Sequence, residues 1–345
     1  MARHAEHTTR WAPRVRIRLR IVVAVILAIA VVIGVTASAA QRYFSGFREA
    51  RLQTVASGTE NRLATRSSTT HAENPKDAKA ADERNQAKRA KQSKQRTLDA
   101  LSVQLQQQLA GYQGTWQVYV EDLPTGASIS INSHEQYSAS VIKLMVMLAV
   151  FQQIADGALQ EDAQIDDLLT RMITISDNEA TNTLVDRLGN GDTQAGYAVV
   201  NGTAQRYGFT QSHLDQRMGD LTVDTGKQTS VGDQGRFLAA ACRGQLVSVE
   251  YSQSMIGLML QQTRRSKIPA GVPSQVSVAN KTGESPGVEN DSAMVFAAGD
   301  GERIAGATPG VGDYVIAVMS EHVPMPSEAQ NDIRTMSSTV WSALQ

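Results

Sequence analysis

The most constraining stretch of this chain is Tyr137-Ser-Ala-Ser-Val-Ile-Lys-Leu-Met-Val-Met-Leu-Ala-Val-Phe151. From Val141 to Phe151 every helical face is apolar apart from Lys143. A helix that is hydrophobic all round belongs in the middle of a domain, so the rest of the fold must wrap around it. A lysine in such a helix is costly without a partner or a task, because desolvation disfavours the ammonium form. Ser140 lies one helical turn before it, on the same face. A neutral amine beside a serine hydroxyl can take its proton, which is the logic of an activated nucleophile.

A chain of 345 residues with 41% hydrophobic content can bury a large core, as one domain or two. The formal net charge of -1 gives no reason to expect nucleic acid as a partner. Aromatic residues are few, so the core must rest on aliphatic side chains, with Met145, Met147, Met255 and Met259 as filler. The single cysteine, Cys242, sits in an alanine-rich apolar run and reads as a small buried hydrophobe rather than a catalytic thiol. The six histidines show no metal spacing, and His213 reads as a loop residue. No metal or cofactor is expected.

Residues 1–20 form a basic tail, and 21–40 form an uncharged apolar run of the length that crosses a bilayer. The arginines before the run place the N-terminus inside and the bulk of the chain outside the cytoplasm. The rival reading is a signal peptide cleaved near Ala37-Ser38-Ala39, which would leave the protein secreted. Residues 41–96 are rich in Ser, Thr, Ala, Gln, Lys and Glu, a composition expected of a disordered or fraying-helical stalk. The folded domain is expected over 97–345.

Within it, Leu98 to Leu109 suggest an opening helix, and Trp116–Glu121 and Ala127–Asn132 two alternating strands. Helices are expected over Asp166–Ser176, Asn178–Leu188, Val231–Arg243, Ser248–Arg264 and Ser327–Leu344, with a loop-rich stretch from Gly208 to Gln228. Strands return at Val276–Lys281, Asp291–Ala298 and Tyr314–Ser320. This order describes an α+β fold, an antiparallel sheet with segregated helices.

Three short motifs follow one another: Ser140-Val-Ile-Lys143, Ser176-Asp-Asn178 and Lys281-Thr-Gly283. Each alone is weak. A serine and lysine at that spacing are common, Asp177-Asn178 can simply cap a helix, and Gly283 can be a turn glycine. Together and in this order they resemble the serine–lysine acyl-transfer signature of class A β-lactamases and penicillin-binding proteins. Met172-Ile-Thr-Ile-Ser-Asp-Asn-Glu-Ala-Thr-Asn182 and Thr229-Ser-Val-Gly-Asp233 extend the resemblance.

The resemblance implies a five-stranded antiparallel sheet flanked by helices, an all-helical subdomain, and a cleft between them, here preceded by the transmembrane segment. It implies Ser140 as nucleophile, Lys143 as base, Ser176 as proton relay and Asn178 as the holder of the substrate's amide side chain. Lys281 and Thr282 would bind the substrate carboxylate, Gly283 would admit substrate backbone, and the Glu284 N–H would be the second oxyanion donor beside that of Ser140. The family's water-activating glutamate has no counterpart: in His213-Leu-Asp-Gln-Arg-Met-Gly-Asp-Leu221, Met218 or Gly219 falls in its place, with Asp220 as a displaced substitute. The expected substrates are β-lactams, with D-Ala-D-Ala peptides as the alternative. A wall-binding module without catalysis is the rival from another class.

Overall fold

The computed structural model describes residues 75–297 and 309–345. The basic tail, the apolar 21–40 run and the first part of the stalk lie outside these residues. Among the described residues no helix is long and apolar enough to cross a membrane. The first element is α1 (Pro75–Leu109), so residues 75–96 continue directly into the helix expected to open the domain. Ala, Lys, Gln and Glu favour helix without any burial, which lets the element begin well before its first core residue. Only its later part meets the fold, burying Leu98, Leu101 and Leu105 along one face while Val103 stays exposed.

Next come β1 (Thr115–Asp122) and β2 (Ala127–Ile131), a hairpin whose turn needs Gly126 at φ +65°. The two-residue β3 (Gln136–Tyr137) leads into a 3₁₀ turn, Ala139–Ile142, and then α2 (Lys143–Ala155). Three helices follow, α3 (Ala163–Thr174), α4 (Asn178–Leu188) and α5 (Thr193–Arg206). The stretch read as loop also holds two short strands, β4 (His213–Leu214) and β5 (Lys227–Thr229), which pair with β3 in a small sheet. After α6 (Val231–Cys242) and α7 (Val249–Leu260) come β6 (Ser277–Ser285), β7 (Val288–Phe296), β8 (Tyr314–Glu321) and α8 (Pro326–Leu344).

The helices start where side chains can satisfy their first free N–H groups. Asp162, Asp177, Asp192, Ser230 and Ser248 cap α3, α4, α5, α6 and α7 in turn. The main sheet is antiparallel in the order β2-β1-β8-β7-β6, which makes the fold α+β as expected. One expected boundary moves. The strand read as ending at Lys281 runs on to Ser285, because Thr282 and Gly283 still pair with Asp291 and Asn290 across β7.

The sheet separates two cores. Along β8, Val315, Ala317 and Met319 face the helical side, while Tyr314, Ile316 and Val318 face the side covered by α1 and α8. That is the two-residue alternation of a strand buried on both faces. The apolar helix α2 lies in the first core, touched by α3, α4, α5 and α7. Met145 and Met147 on α2 and Met255 and Met259 on α7 are all buried there, and so is Cys242, whose thiol burial pushes well up. With β6 at the sheet's edge, the start of α2 and the edge strand stand side by side.

Candidate active site

Ser140 stands in the 3₁₀ turn between β3 and α2. Ala139 just before it has φ +46°, a conformation a non-glycine residue adopts only when its surroundings impose it. Those surroundings are visible. The Ser138 N–H donates to the Lys227 carbonyl at 2.9 Å, and Asn290 Nδ2 donates to the Ser138 carbonyl at 3.0 Å. Gly283 presses against the same turn: a Cβ there would lie 2.9 Å from the Ser138 oxygen and 3.1 Å from the backbone nitrogens of Ser140 and Val141. Only glycine lets the edge strand approach this closely. Ser140's N–H is thereby set beside β6.

Lys143 is fully buried at the start of α2. Its Nζ donates to the Ser176 carbonyl at 2.7 Å, to Ser176 Oγ at 3.3 Å and to Asn178 Oδ1 at 2.7 Å. Desolvation brings the amine down to about 7, with the nearby Arg264 charge adding to the effect and Asp177 opposing it. An amine with that value is half neutral near pH 7 and can accept a proton. Ser176, at φ +62°, turns its hydroxyl between two lysines, since Lys281 Nζ also donates to Ser176 Oγ, at 2.9 Å. Lys281 is fully buried, and desolvation, then the charges of Lys143 and Arg264, hold its amine well below the usual lysine range. All four residues proposed for catalysis therefore converge on one spot, with Ser176 as the link. Lys143 spends its hydrogen bonds on Ser176 and Asn178 rather than on Ser140, which leaves the nucleophile's hydroxyl free to turn toward a substrate.

Along β6, Thr282 Oγ1 is buried and has no hydrogen-bond partner among the described residues. A buried donor without a partner is costly, and a bound anion at this spot would satisfy it. Glu284 lines the cleft, and its carboxylate is tied to Arg264 and, at 3.2 Å, to the buried Lys267. Lys267 in turn meets Glu289 at 2.6 Å. Arg264 thus adds positive charge beside Lys281 while Glu284 orients it.

The other wall is the 216–221 loop. Asn182 clamps the backbone of Met218 in both directions: Nδ2 donates to its carbonyl at 3.1 Å, and Oδ1 accepts from its N–H at 2.8 Å. The buried Lys227 holds the loop from beneath, donating to Gln216 Oε1 at 2.5 Å and to the Asp220 carbonyl at 2.7 Å. Gly219 lies against Asn178, whose Nδ2 would be 3.4 Å from a Cβ there. Asp220 is not brought into the cleft. Its Oδ1 accepts from the Thr222 N–H at 2.9 Å, a bond that holds the carboxyl below its ordinary value and turns it back onto its own loop. The cleft, of about 260 Å³, is lined on this side by Met218, Gly219 and Leu221, none of which carries a carboxylate.

Several of these residues carry no motif of their own. Asn182 could have been suspected, being one turn after Asn178 on the same face of α4. Arg264, Lys227 and Asn290 act only through contacts between distant parts of the chain, and nothing local in the sequence marks them.

A family model described as "Beta-lactamase enzyme family" matches residues 100–166 and 161–344 of the chain. No curated protein matches it. Among solved structures, the chain is similar to PBP-A at 25% identity and a TM-score of 0.60, covering 71% of this chain and 96% of that one. A leucine-to-glutamate variant of PBP-A, solved as an acyl-enzyme with penicillin G, matches at the same 25% identity and 0.60 TM-score, with 71% and 96% covered. A β-lactamase from Sphaerobacter thermophilus shares the fold at 22% identity and a TM-score of 0.59, covering 70% of this chain and 95% of that one.

Proposed function

The chain belongs to the beta-lactamase enzyme family, and from that premise we propose that it is a serine acyl-transfer enzyme acylated by β-lactams at Ser140 that releases the acyl group slowly. The observation that carries this reading is the Lys143–Ser176–Lys281 chain beside Ser140, facing a loop wall without a carboxylate. Ser140 Oγ attacks the β-lactam carbonyl as its proton passes to Lys143. The N–H groups of Ser140 and Glu284 receive the developing oxyanion. When the C–N bond breaks, Ser176 gives its proton to the departing nitrogen and is refilled from the lysines. Asn178 holds the substrate's amide, and Lys281 with Thr282 holds its carboxylate.

Hydrolysis of the ester then needs a base for water, and at Met218 there is a thioether instead. Of the relatives, the PBP-A variant trapped with penicillin G supports a β-lactam as a ligand of this site. The same reading places the domain outside the cytoplasm, held by the 21–40 run, with D-Ala-D-Ala peptides as natural acyl donors. Intact-protein mass spectrometry after exposure to penicillin tests it. A single adduct of the whole ring-opened drug is expected, lost in Ser140→Ala and persisting for many minutes in the unaltered chain. Met218→Glu should shorten its lifetime by about tenfold or more, the scale of a general base restored within reach. Rapid turnover by the unaltered protein would overturn slow release, and absence of any adduct would favour a non-catalytic wall-binding module.

A further inference from the structure

The cleft does not end at Pro286. A second cavity of about 310 Å³ opens beyond it, and Tyr137, Leu221, Ser285 and Pro286 line both. The reaction described above uses none of this space. Leu221 and Val223 present their side chains here at 60% and 51% exposure, which is unusual for large aliphatic residues unless something covers them. With the ring of Tyr137 and Pro286 they make an apolar trough. Two carboxylates border it, Asp224 on the loop and Glu321 at the end of β8. Glu321 accepts from the Tyr137 N–H at 3.3 Å and lies 4.0 Å from His134 Nε2, while Asp224 is exposed.

The position of the trough says which end of a substrate enters it. A carboxylate held at Thr282 fixes the leaving-group end of the substrate. From Thr282 to Ser285 the extended strand travels about 10 Å. The trough therefore lies on the acyl side, past Ser140, where the portion retained in the acyl-enzyme must go. Methylene groups fit its walls, and a cation at their far end fits its two carboxylates.

We propose that this cavity is a subsite for an acyl donor whose side chain is an alkyl chain ending in an ammonium group. It rests on the acyl-transfer reading of Ser140 and narrows its substrate class. The test compares second-order acylation of the full-length protein by three penams: one with an ω-aminohexanoyl side chain, one with a hexanoyl side chain, and aminopenicillanic acid itself. Adduct formation at Ser140 is followed by mass spectrometry. The aminohexanoyl compound should react about tenfold faster than the hexanoyl one, the scale of one charge-assisted contact. In the doubly neutralised variant Asp224→Asn with Glu321→Gln the ratio should fall to near one, and in Val223→Lys, which sets a cation in the trough, it should fall below one. A ratio cancels any loss of folded protein. Equal rates in the unaltered chain, or a preference that survives both variants, overturn the subsite while adducts with all three compounds leave the Ser140 reading standing. If none of the three forms an adduct, the reading itself falls and the subsite with it.

Discussion

At the scale of the residue, the burial of Lys143 sets the pH behaviour of the site. Its amine titrates at about 7, against an ordinary 10.5, chiefly through desolvation. The base is the neutral form, so acylation at limiting β-lactam should rise with pH through a midpoint near 7. Stopped-flow or quenched mass spectrometry across that range would show it. Lys143→Met should lower the rate by about 100-fold or more and flatten the profile. Stability carries the same shift with a definite sign. Between about 7 and 10.5 the unfolded chain holds a proton on Lys143 that the folded chain has released. Stability therefore gains with rising pH across that window from this group. Ser140 and Lys143 were legible in the sequence because their relation is local, one turn of one helix. Met218 was legible as an absence, but what fixes it is not: Asn182 reaches it across 36 positions. Asp220 shows the limit from the other direction. Its place in the chain suggested a role, and a single bond to the Thr222 N–H aims it elsewhere.

At the scale of the element, the edge strand β6 and the nucleophile turn form one unit through Gly283. The sequence allowed Gly283 to be a turn glycine after a strand ending at Lys281. It is instead an interior strand residue, paired with Asn290, and its lack of a side chain serves close approach rather than a turn. Period and propensity cannot distinguish these uses, since the neighbour that demands the glycine comes from another part of the chain. Gly283→Ala puts a methyl 2.9 Å from the Ser138 oxygen and 3.1 Å from two backbone nitrogens, none of which can rotate away. The strand must shift outward, taking the Glu284 N–H and Lys281 with it. The variant should lose about 1–3 kcal/mol in chemical denaturation, the usual cost of overpacking. Its acylation rate should fall by more than its folded fraction does, measured as adduct formed per folded molecule. An acylation rate that tracks the folded fraction alone would sink the idea that Gly283 is needed for geometry at Ser140.

At the scale of the whole molecule, the sheet divides a catalytic core from a supporting one, and the division has a measurable consequence. Every residue around Ser140 stands on the side of α2 or along β6, while Leu98, Leu101 and Leu105 of α1 pack on the opposite face with Ile316, Val318 and α8. Leu101 is 2% exposed, so Leu101→Ala leaves a cavity in the second core and should cost about 2–5 kcal/mol. That cavity is separated from the nucleophile by the full thickness of the sheet. Among molecules that remain folded, the acylation rate and its pH midpoint should be those of the unaltered chain. Met147→Ala makes a comparable hole in the first core, within α2 itself, one turn from Lys143. It should lower stability by a similar amount and also disturb the lysine's burial, moving the pH midpoint of acylation upward toward the ordinary lysine value as water enters. Denaturation and pH–rate profiles on the two variants separate these outcomes. If Leu101→Ala shifts the midpoint as far as Met147→Ala does, the two cores are one mechanical unit, and the sheet does not insulate the site from the helix on its far side.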